Sequence, residues 1–490
     1  MISVEKESSL LKPIYSSKVI VFLTPVLAVV IGFLASIEPV LFAGIVIASI
    51  FLIFAILRPR EFLIIVFATG AISLAFITEK QKPYFTELGG INFDGLRLLG
   101  FLFVMMVYLS LRMRSAFKVA AKYKLYWFFL FLAGFSIVYT IGQPVDGLRL
   151  MAKIAYPFLL FIIIQIEAKD NSFLEVLEKS IYAGGIIVSL LGIFNLFRGQ
   201  AFIVGIEGIT QYTAGLAHPN MIAFFFLVVF VFSFINFLYL HRRIHLFLSV
   251  LFLVQLMITF TRIALVSLII ALMIIAFRKT NPVIAFTAAL LVAAIGFLAV
   301  FNVPALKTRM FIEPDKISSQ SLLNDPEEFI DNIRLSGRNK VWSFALENVF
   351  RKNPWFGGGL GSTDIIIGRE WQKQGWKVDV TGTVPVHNEY LRMLCEIGIL
   401  GFLIFLAANL KFFKDMLKFF WKAKGTPQFE RISLTALCLI VCYLIISLTS
   451  NVINWYSIFS QYVFAFMAMT YKLHEFSRDK SSVPIDMDSL

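Results

Sequence analysis

The side chains able to act on a substrate are few in this sequence, and most lie in its second half. Five histidines occur in 490 residues. His387 opens the segment HNEYL immediately before an apolar run. Imidazole titrates near neutrality, so such a group can take a proton from an attacking hydroxyl; the alternative is a purely structural interfacial histidine. His241 and His245 flank Arg242–Arg243, His474 lies near the end of the chain, and His218 precedes Pro219–Asn220 at the start of another apolar run. Arg262, in TFTRIALV, occupies a turn of two or three residues between two apolar stretches. A guanidinium there keeps its charge and offers a planar fork to phosphate oxygens. Arg338, in LSGR, opens an amphipathic segment. At a helix N-terminus, free N–H groups and partial positive charge would complete a phosphate site, whereas a solvated surface arginine would do nothing. Arg97 and Arg149 occupy the same place in a repeated DGLRL at 94–98 and 146–150, where arginine ordinarily snorkels to headgroups. Glu396, about two helical turns beyond His387, is an acid within an apolar run and needs an arginine or a backbone donor. Glu389 is a second candidate base. No HExxH, Cys/His cluster or metal-spaced carboxylate pair is present, so neither a metal nor a cofactor is expected. The glycines at 357–359 lack the Lys-Ser/Thr of a phosphate loop and are expected to form a turn returning the chain to its apolar segments.

The elements that must position these groups are membrane helices. The hydrophobic fraction is 59% and the charged fraction 15%, too few charges to cover a soluble fold of this size and too apolar for disorder. Three cysteines and 53 phenylalanines argue for lipid-facing surface over a disulfide scaffold. Apolar runs predict an all-α polytopic membrane protein of about 14 spans, near 19–36, 39–57, 62–78, 96–112, 125–142, 149–166, 178–197, 219–240, 245–260, 263–277, 283–301, 391–410, 433–449 and 453–471. The division therefore runs 1–18 tail, 19–301 transmembrane bundle, 302–390 large extracytoplasmic loop, 391–471 closing spans and 472–490 tail. If the pair 245–260 and 263–277 were one long helix, every later span would invert.

Charge placement decides the orientation. The net charge is +13, yet 302–390 carries eleven Lys/Arg against eleven Asp/Glu. The excess sits in short loops around Arg112–Lys124, Arg242–Arg243, Arg278–Lys279 and Lys411–Arg431, as the positive-inside rule requires of cytoplasmic loops. The opposite loops carry Glu38, Glu79, Glu87, Asp94, Asp146 and Glu207. Both tails are then cytoplasmic, and Arg262, Arg338 and His387 share the outer face. No basic face of a folded domain suggests nucleic acid. Within the loop, residues 302–335 read as a flexible or lid-like stretch. NKVWSFALENVF at 339–350 places Trp342, Ala345, Leu346, Val349 and Phe350 on one helical face.

Taken in order, TAGLAHPN (213–220), TFTRIAL (259–265), SGR (336–338), NPWFGGGLG (353–361) and HNEYLRMLCEIGILG (387–401) resemble the O-antigen ligase and polymerase superfamily of bacterial membrane glycosyltransferases, over roughly residues 200–410. The resemblance implies a multi-span architecture of GT-C type in the inner membrane. It implies a glycan donor carried on undecaprenyl pyrophosphate and metal-free transfer, at the outer face, to the hydroxyl of a glycan or lipid-linked acceptor. Arg262 and Arg338, with Arg149, would bind the pyrophosphate and His387 would serve the proton transfer. Asn220, Asn388 and Tyr390 match family positions without an independent physical role, and Glu396 supports. TRIAL departs from the commoner Ser-Arg-Gly form of its motif. Physically such a reaction needs charge neutralisation of the leaving group and one placed base. A lipid-linked-oligosaccharide flippase or polysaccharide exporter would share the spans and cations, but calls for mid-membrane polar groups and repeats. A peptidoglycan polymerase of the shape-and-division type fits the loop motifs less well.

Overall fold

In hydrocarbon the polar backbone can pair only with itself, so long apolar runs become helices. The computed structural model describes residues 53–70, 87–88, 91–92, 102, 104–204, 210–215, 218–279, 338–375, 382–455 and 457–481, with isolated positions between 283 and 311. The chain divides into two units, Met1–Pro59 and Arg60–Leu490. The expected span at 19–36, most of those at 39–57 and 283–301, Arg97, and the DPEEFIDN stretch lie outside the described residues.

Among the described residues the helices include α1 (Pro59–Thr69), α2 (Met113–Ala120), α3 (Lys124–Ser136), α4 (Pro144–Glu167), α5 (Asn171–Phe197), α6 (Pro219–Leu240), α7 (Arg243–Ile258), α8 (Arg262–Lys279), α9 (Arg338–Ala345), α10 (Thr363–Lys373), α11 (Glu389–Lys422), α12 (Pro427–Ile446), α13 (Val452–Trp455) and α14 (Ser457–Ser481). Two short antiparallel hairpins, Glu87–Leu88 with Ile91–Asn92 and Phe202–Val204 with Thr210–Tyr212, accompany them. Proline at the first helical position starts α4, α6 and α12, where its missing N–H costs nothing. Among the described residues six helical stretches are long and apolar enough to cross a membrane: Met113–Tyr139, Pro144–Glu167, Asn171–Phe197, Pro219–Leu240, Glu389–Lys422 and Pro427–Ile446. They cover the spans expected at 125–142, 149–166, 178–197, 219–240, 391–410 and 433–449. Two helices outrun their expected ends: α11 continues to Lys422 and α14 to Ser481.

The pair in question, 245–260 and 263–277, forms two helices. After Ile258 the chain turns through Thr259–Thr261, with Phe260 at φ +50°. Thr261 Oγ1 donates to Asn220 Oδ1 at the start of α6, while Lys279 Nζ sits over the Tyr239 ring at its end. Thus α8 runs parallel to α6, and α7, packed along α6, runs between them in the opposite sense. The basic loops meet at one end of the bundle. Arg278 pairs with Glu430 at 2.5 Å and lies over Phe420; Lys122 reaches Glu475; Tyr471 donates to Asp415. Buried Arg431 there binds both Glu178 and Asn236, tying α12 to α5 and α6.

At the other end a glycine contact joins the loop to α11. Gly398 breaks that helix at φ +66°, ψ −175°, a region open essentially to glycine alone. A Cβ there would come within 2.3 Å of the Trp355 carbonyl carbon, and one on Gly357 within 2.5 Å of the Glu396 main chain. The N–H groups of Gly358, Gly359 and Ile399 donate to the carbonyls of Cys395, Glu396 and Pro354. The loop side of this contact also reaches α3 and the connection to α4, through Leu360 N–H to Ser136 Oγ and Ile141 N–H to Gly358 O. The triple glycine is therefore a turn locked between α11 and the α3–α4 connection. Gly398→Ala combines backbone overlap with a forbidden φ and should cost about 3 kcal/mol or more, read as a lowered unfolding midpoint of the purified protein in detergent; an unchanged midpoint would contradict this contact.

Candidate functional site

The site is assembled on the short helix α9. Val341, Ala345 and Val349, spaced by four, face Ile367 of α10, Val386, and Cys395 of α11. Trp342 and Phe350 pack against this cluster as expected from the sequence, but Leu346 is exposed. Leu346 lies about 100° around the helix from the centre of the Val341–Ala345–Val349 stripe, at the point where the last turn, Leu346–Phe350, widens to a π-turn.

Trp342 Nε1 donates to the carbonyl of Val386 at 2.8 Å, and the N–H of Val386 donates to Asp364 Oδ1 at 3.3 Å. On the other side, the N–H of Asn388 donates to Asn451 Oδ1 at 3.1 Å, and Asn388 Oδ1 caps α11 by accepting from the Leu391 N–H. Between these two pinned neighbours stands His387, at φ +53°. Left-handed backbone is unfavourable for a residue with a Cβ, and persists only when its surroundings over-determine it.

The clamp has an ionic foundation. Asp364 Oδ2 lies 3.6 Å from Arg392 Nη2, and Arg392 Nε donates to Glu396 Oε1 at 3.1 Å. Glu396 Oε1 also accepts from the N–H of Thr363, so this acid holds both an arginine and a backbone donor. Asp364, Arg392 and Glu396 are all buried. Burial pushes the Asp364 carboxyl up, while the Arg392 charge pulls it back. Glu389 is spent on structure as well: its carboxylate accepts from the Ile453 N–H at 2.9 Å. Tyr390 donates through its hydroxyl to the Leu444 carbonyl.

Three motifs converge beside this clamp. Burial, then the charge of Arg338, then that of His218, hold the His387 imidazole down at about 4. The ring is therefore neutral at physiological pH and stands in a cationic neighbourhood. His218 caps α6, with Nδ1 accepting from the Asn220 N–H at 3.3 Å; a neutral ring then carries its proton on Nε2. Asn220 in turn accepts from Thr261, next to Arg262. Among the described residues four non-glycine positions have positive φ: Ala214, His241, Phe260 and His387. His241 is an ordinary helix C-cap. The other three fall within TAGLAHPN, TFTRIAL and HNEYL.

Residues 247–406 match the O-antigen ligase family. The sequence resemblance is borne out over this segment, which contains Arg262, Arg338, His387 and Glu396 and stops short of His218, Asn220 and Arg149. No curated protein matches the chain. With six helical stretches long and apolar enough to cross a membrane among the described residues, the O-antigen ligase match supports a multi-pass membrane protein. Arg149 is held by Asp146 through Nη1 at 3.1 Å. Lys153, one turn further along α4, acts electrostatically on Asp364 instead. No three His, Cys, Asp or Glu among the described residues are grouped so as to hold a metal ion.

Sequence reading missed His218, Asp364 and Arg392. The last had a visible signal, since Arg392 and Glu396 are four apart on one helix. His218 had one in its place before Pro219–Asn220. Asp364, in the otherwise bland segment TDIII, had none.

The depressed His387 has a consequence for stability. An unfolded histidine takes up its proton near 6.5, the folded one only near 4. Between these values the unfolded chain binds more protons, so stability rises with pH across that window and is lost on acidification. Relative to His387→Gln, the wild type should lose roughly 3 kcal/mol between pH 7 and pH 4, measured as the shift in denaturation midpoint of the two proteins; parallel pH dependence would contradict the placement of this ring.

Proposed function

We propose that the protein transfers or polymerises glycan from an undecaprenyl-pyrophosphate donor onto an acceptor hydroxyl, at the extracytoplasmic face and without a metal. The observation carrying this reading is His387, on a left-handed backbone and within electrostatic reach of Arg338 and His218, with Asn220 joining His218 to the Arg262 segment. The basic segments gathered at the opposite end of the bundle support an outward orientation of this site.

The acceptor oxygen attacks the anomeric carbon, the bond from that carbon to the phosphate oxygen breaks, and the electron pair leaves with the pyrophosphate. Arg338 and Arg262 neutralise the departing charge. His387 takes the acceptor proton. In the empty site its basicity is too low for that task at neutral pH, because the best catalytic base has a pKa near the operating pH. A docked pyrophosphate reverses this. Its negative charge offsets Arg338 and favours the imidazolium, so the donor itself prepares the base. His218 adds an Nε2–H donor for a phosphate oxygen. Direct attack inverts the anomeric carbon. Arg149 is a further cation for the donor once released from Asp146. The amphipathic segment 339–350 would cover the sugars, while the lipid tail stays in the bilayer.

Proteoliposomes supplied with lipid-linked donor and acceptor test this. Arg338→Ala should lower turnover by about 10²–10³-fold and His387→Ala by about 10²–10⁴-fold, with His218→Gln affected less and all variants inserted normally. Full product from Arg338→Ala and His387→Ala would refute the assignment. Ligase and polymerase are separated by glycan profiles of a deletion strain: unattached long chains mark the former and missing long chains the latter.

A further inference from the structure

The six residues Arg351–Phe356, RKNPWF, precede the glycine turn and take no part in the chemistry above. Their side chains are presented outward. Arg351 and Lys352 are exposed, and Trp355 and Phe356 are 60% and 63% exposed, which for two adjacent large aromatics is a heavy cost in water. Flexibility does not explain this, because the backbone beneath them is fixed. Gly357 N–H donates to Asn353 O, Ile399 N–H donates to Pro354 O, and Tyr139 Oη donates to Phe356 O at 2.8 Å. The Gly398 break is filled by the main chain of Trp355 itself.

What these side chains adjoin identifies the occupant. Tyr139 ends a row of side chains on the Met113–Tyr139 stretch, with Phe131 and Phe135 stacked and Phe135 edge-on to Tyr139. Phe131, Phe135 and Val138 are exposed, and a membrane-crossing helix exposes such side chains to lipid. The hydrogen bond from Tyr139 makes Trp355–Phe356 the continuation of that lipid-facing row. Tryptophan favours the level of the headgroups, and a neighbouring Arg-Lys pair is attracted by anionic lipid.

The geometry points to Arg351–Phe356 as a rigid wedge seated in the bilayer interface, with Trp355 and Phe356 among the upper acyl chains and Arg351 and Lys352 against phospholipid phosphates. Since Gly357–Gly359 lock this segment to α11, the wedge sets the height of the His387 clamp above the membrane. This inference needs only that the protein spans a membrane, and stands whatever reaction the site performs.

The test uses full-length protein in nanodiscs of mixed phosphatidylglycerol and phosphatidylcholine. The emission difference between wild type and Trp355→Phe isolates Trp355 from the other six tryptophans. Phospholipids brominated high on the acyl chain should quench that difference, and aqueous iodide should leave it intact. A nitroxide on Phe356→Cys, whose collisions with oxygen should exceed those with a water-soluble nickel chelate, gives a second readout that does not depend on the tryptophan variant. Charge reversal at Arg351 and Lys352 should weaken quenching in anionic nanodiscs more than in zwitterionic ones. Iodide quenching of Trp355 without bromolipid quenching, or chelate exposure of the nitroxide, would overturn the proposal.

Discussion

A guanidinium cut off from water must find carboxylates or forfeit its fold, and Arg392 finds two. Asp364 comes from the loop helix and Glu396 from the turn of α11 beyond Arg392 itself. Breaking such a buried set by removing one partner strands a charge, at a cost of about 3–5 kcal/mol. A buried ion group of this kind contributes little net stability over an apolar replacement; what it gives is geometry. Asp364 reaches the N–H of Val386 with its second oxygen, so the same carboxylate that answers Arg392 also fixes the backbone immediately before His387. The placement of the imidazole is thus a consequence of satisfying a charge some five residues away.

The remainder of the site follows from strain and charge acting together. Three left-handed residues, Ala214, Phe260 and His387, mark the three places where the chain arrives at the same end of the bundle from different helices. Each costs of order 1–3 kcal/mol and is maintained by side-chain hydrogen bonds around it. The Arg338 charge brought there depresses the affinity of His387 for protons. An arrangement that disfavours a proton and welcomes an anion is suited to the proposed diphosphate head. At the opposite end of the bundle Arg431 and Arg278 each meet a glutamate and hold helices together.

Much of this was legible in the sequence, for identifiable reasons. Apolar runs must become helices in lipid, so the spans covered by the described residues were found to within a few residues at most ends, the over-long α11 and α14 excepted. The separation of α7 from α8 followed from where the basic loops had to lie. Arg338 and His387 stood out because their residue types are scarce and sit beside apolar runs. Asp364 did not, because its importance comes from a contact with Val386 that no local pattern announces. Leu346 was counted with the buried face although it lies at the edge of the stripe that Val341, Ala345 and Val349 bury. Asn388 and Tyr390 matched motif positions, and only the structure gives them work: one caps α11 and the other ties it to α12.

The central claim is that His387 is a base whose basicity is restored by the donor's diphosphate. It is tested most directly by titrating the His387 ring in ¹⁵N-histidine-labelled protein in nanodiscs, with and without a polyprenyl diphosphate. The expected result is a pKa near 4 in the empty protein that moves toward neutrality when the diphosphate is bound, with the movement lost in Arg338→Ala. An imidazole that already titrates as a free histidine, or one indifferent to the diphosphate, would contradict it.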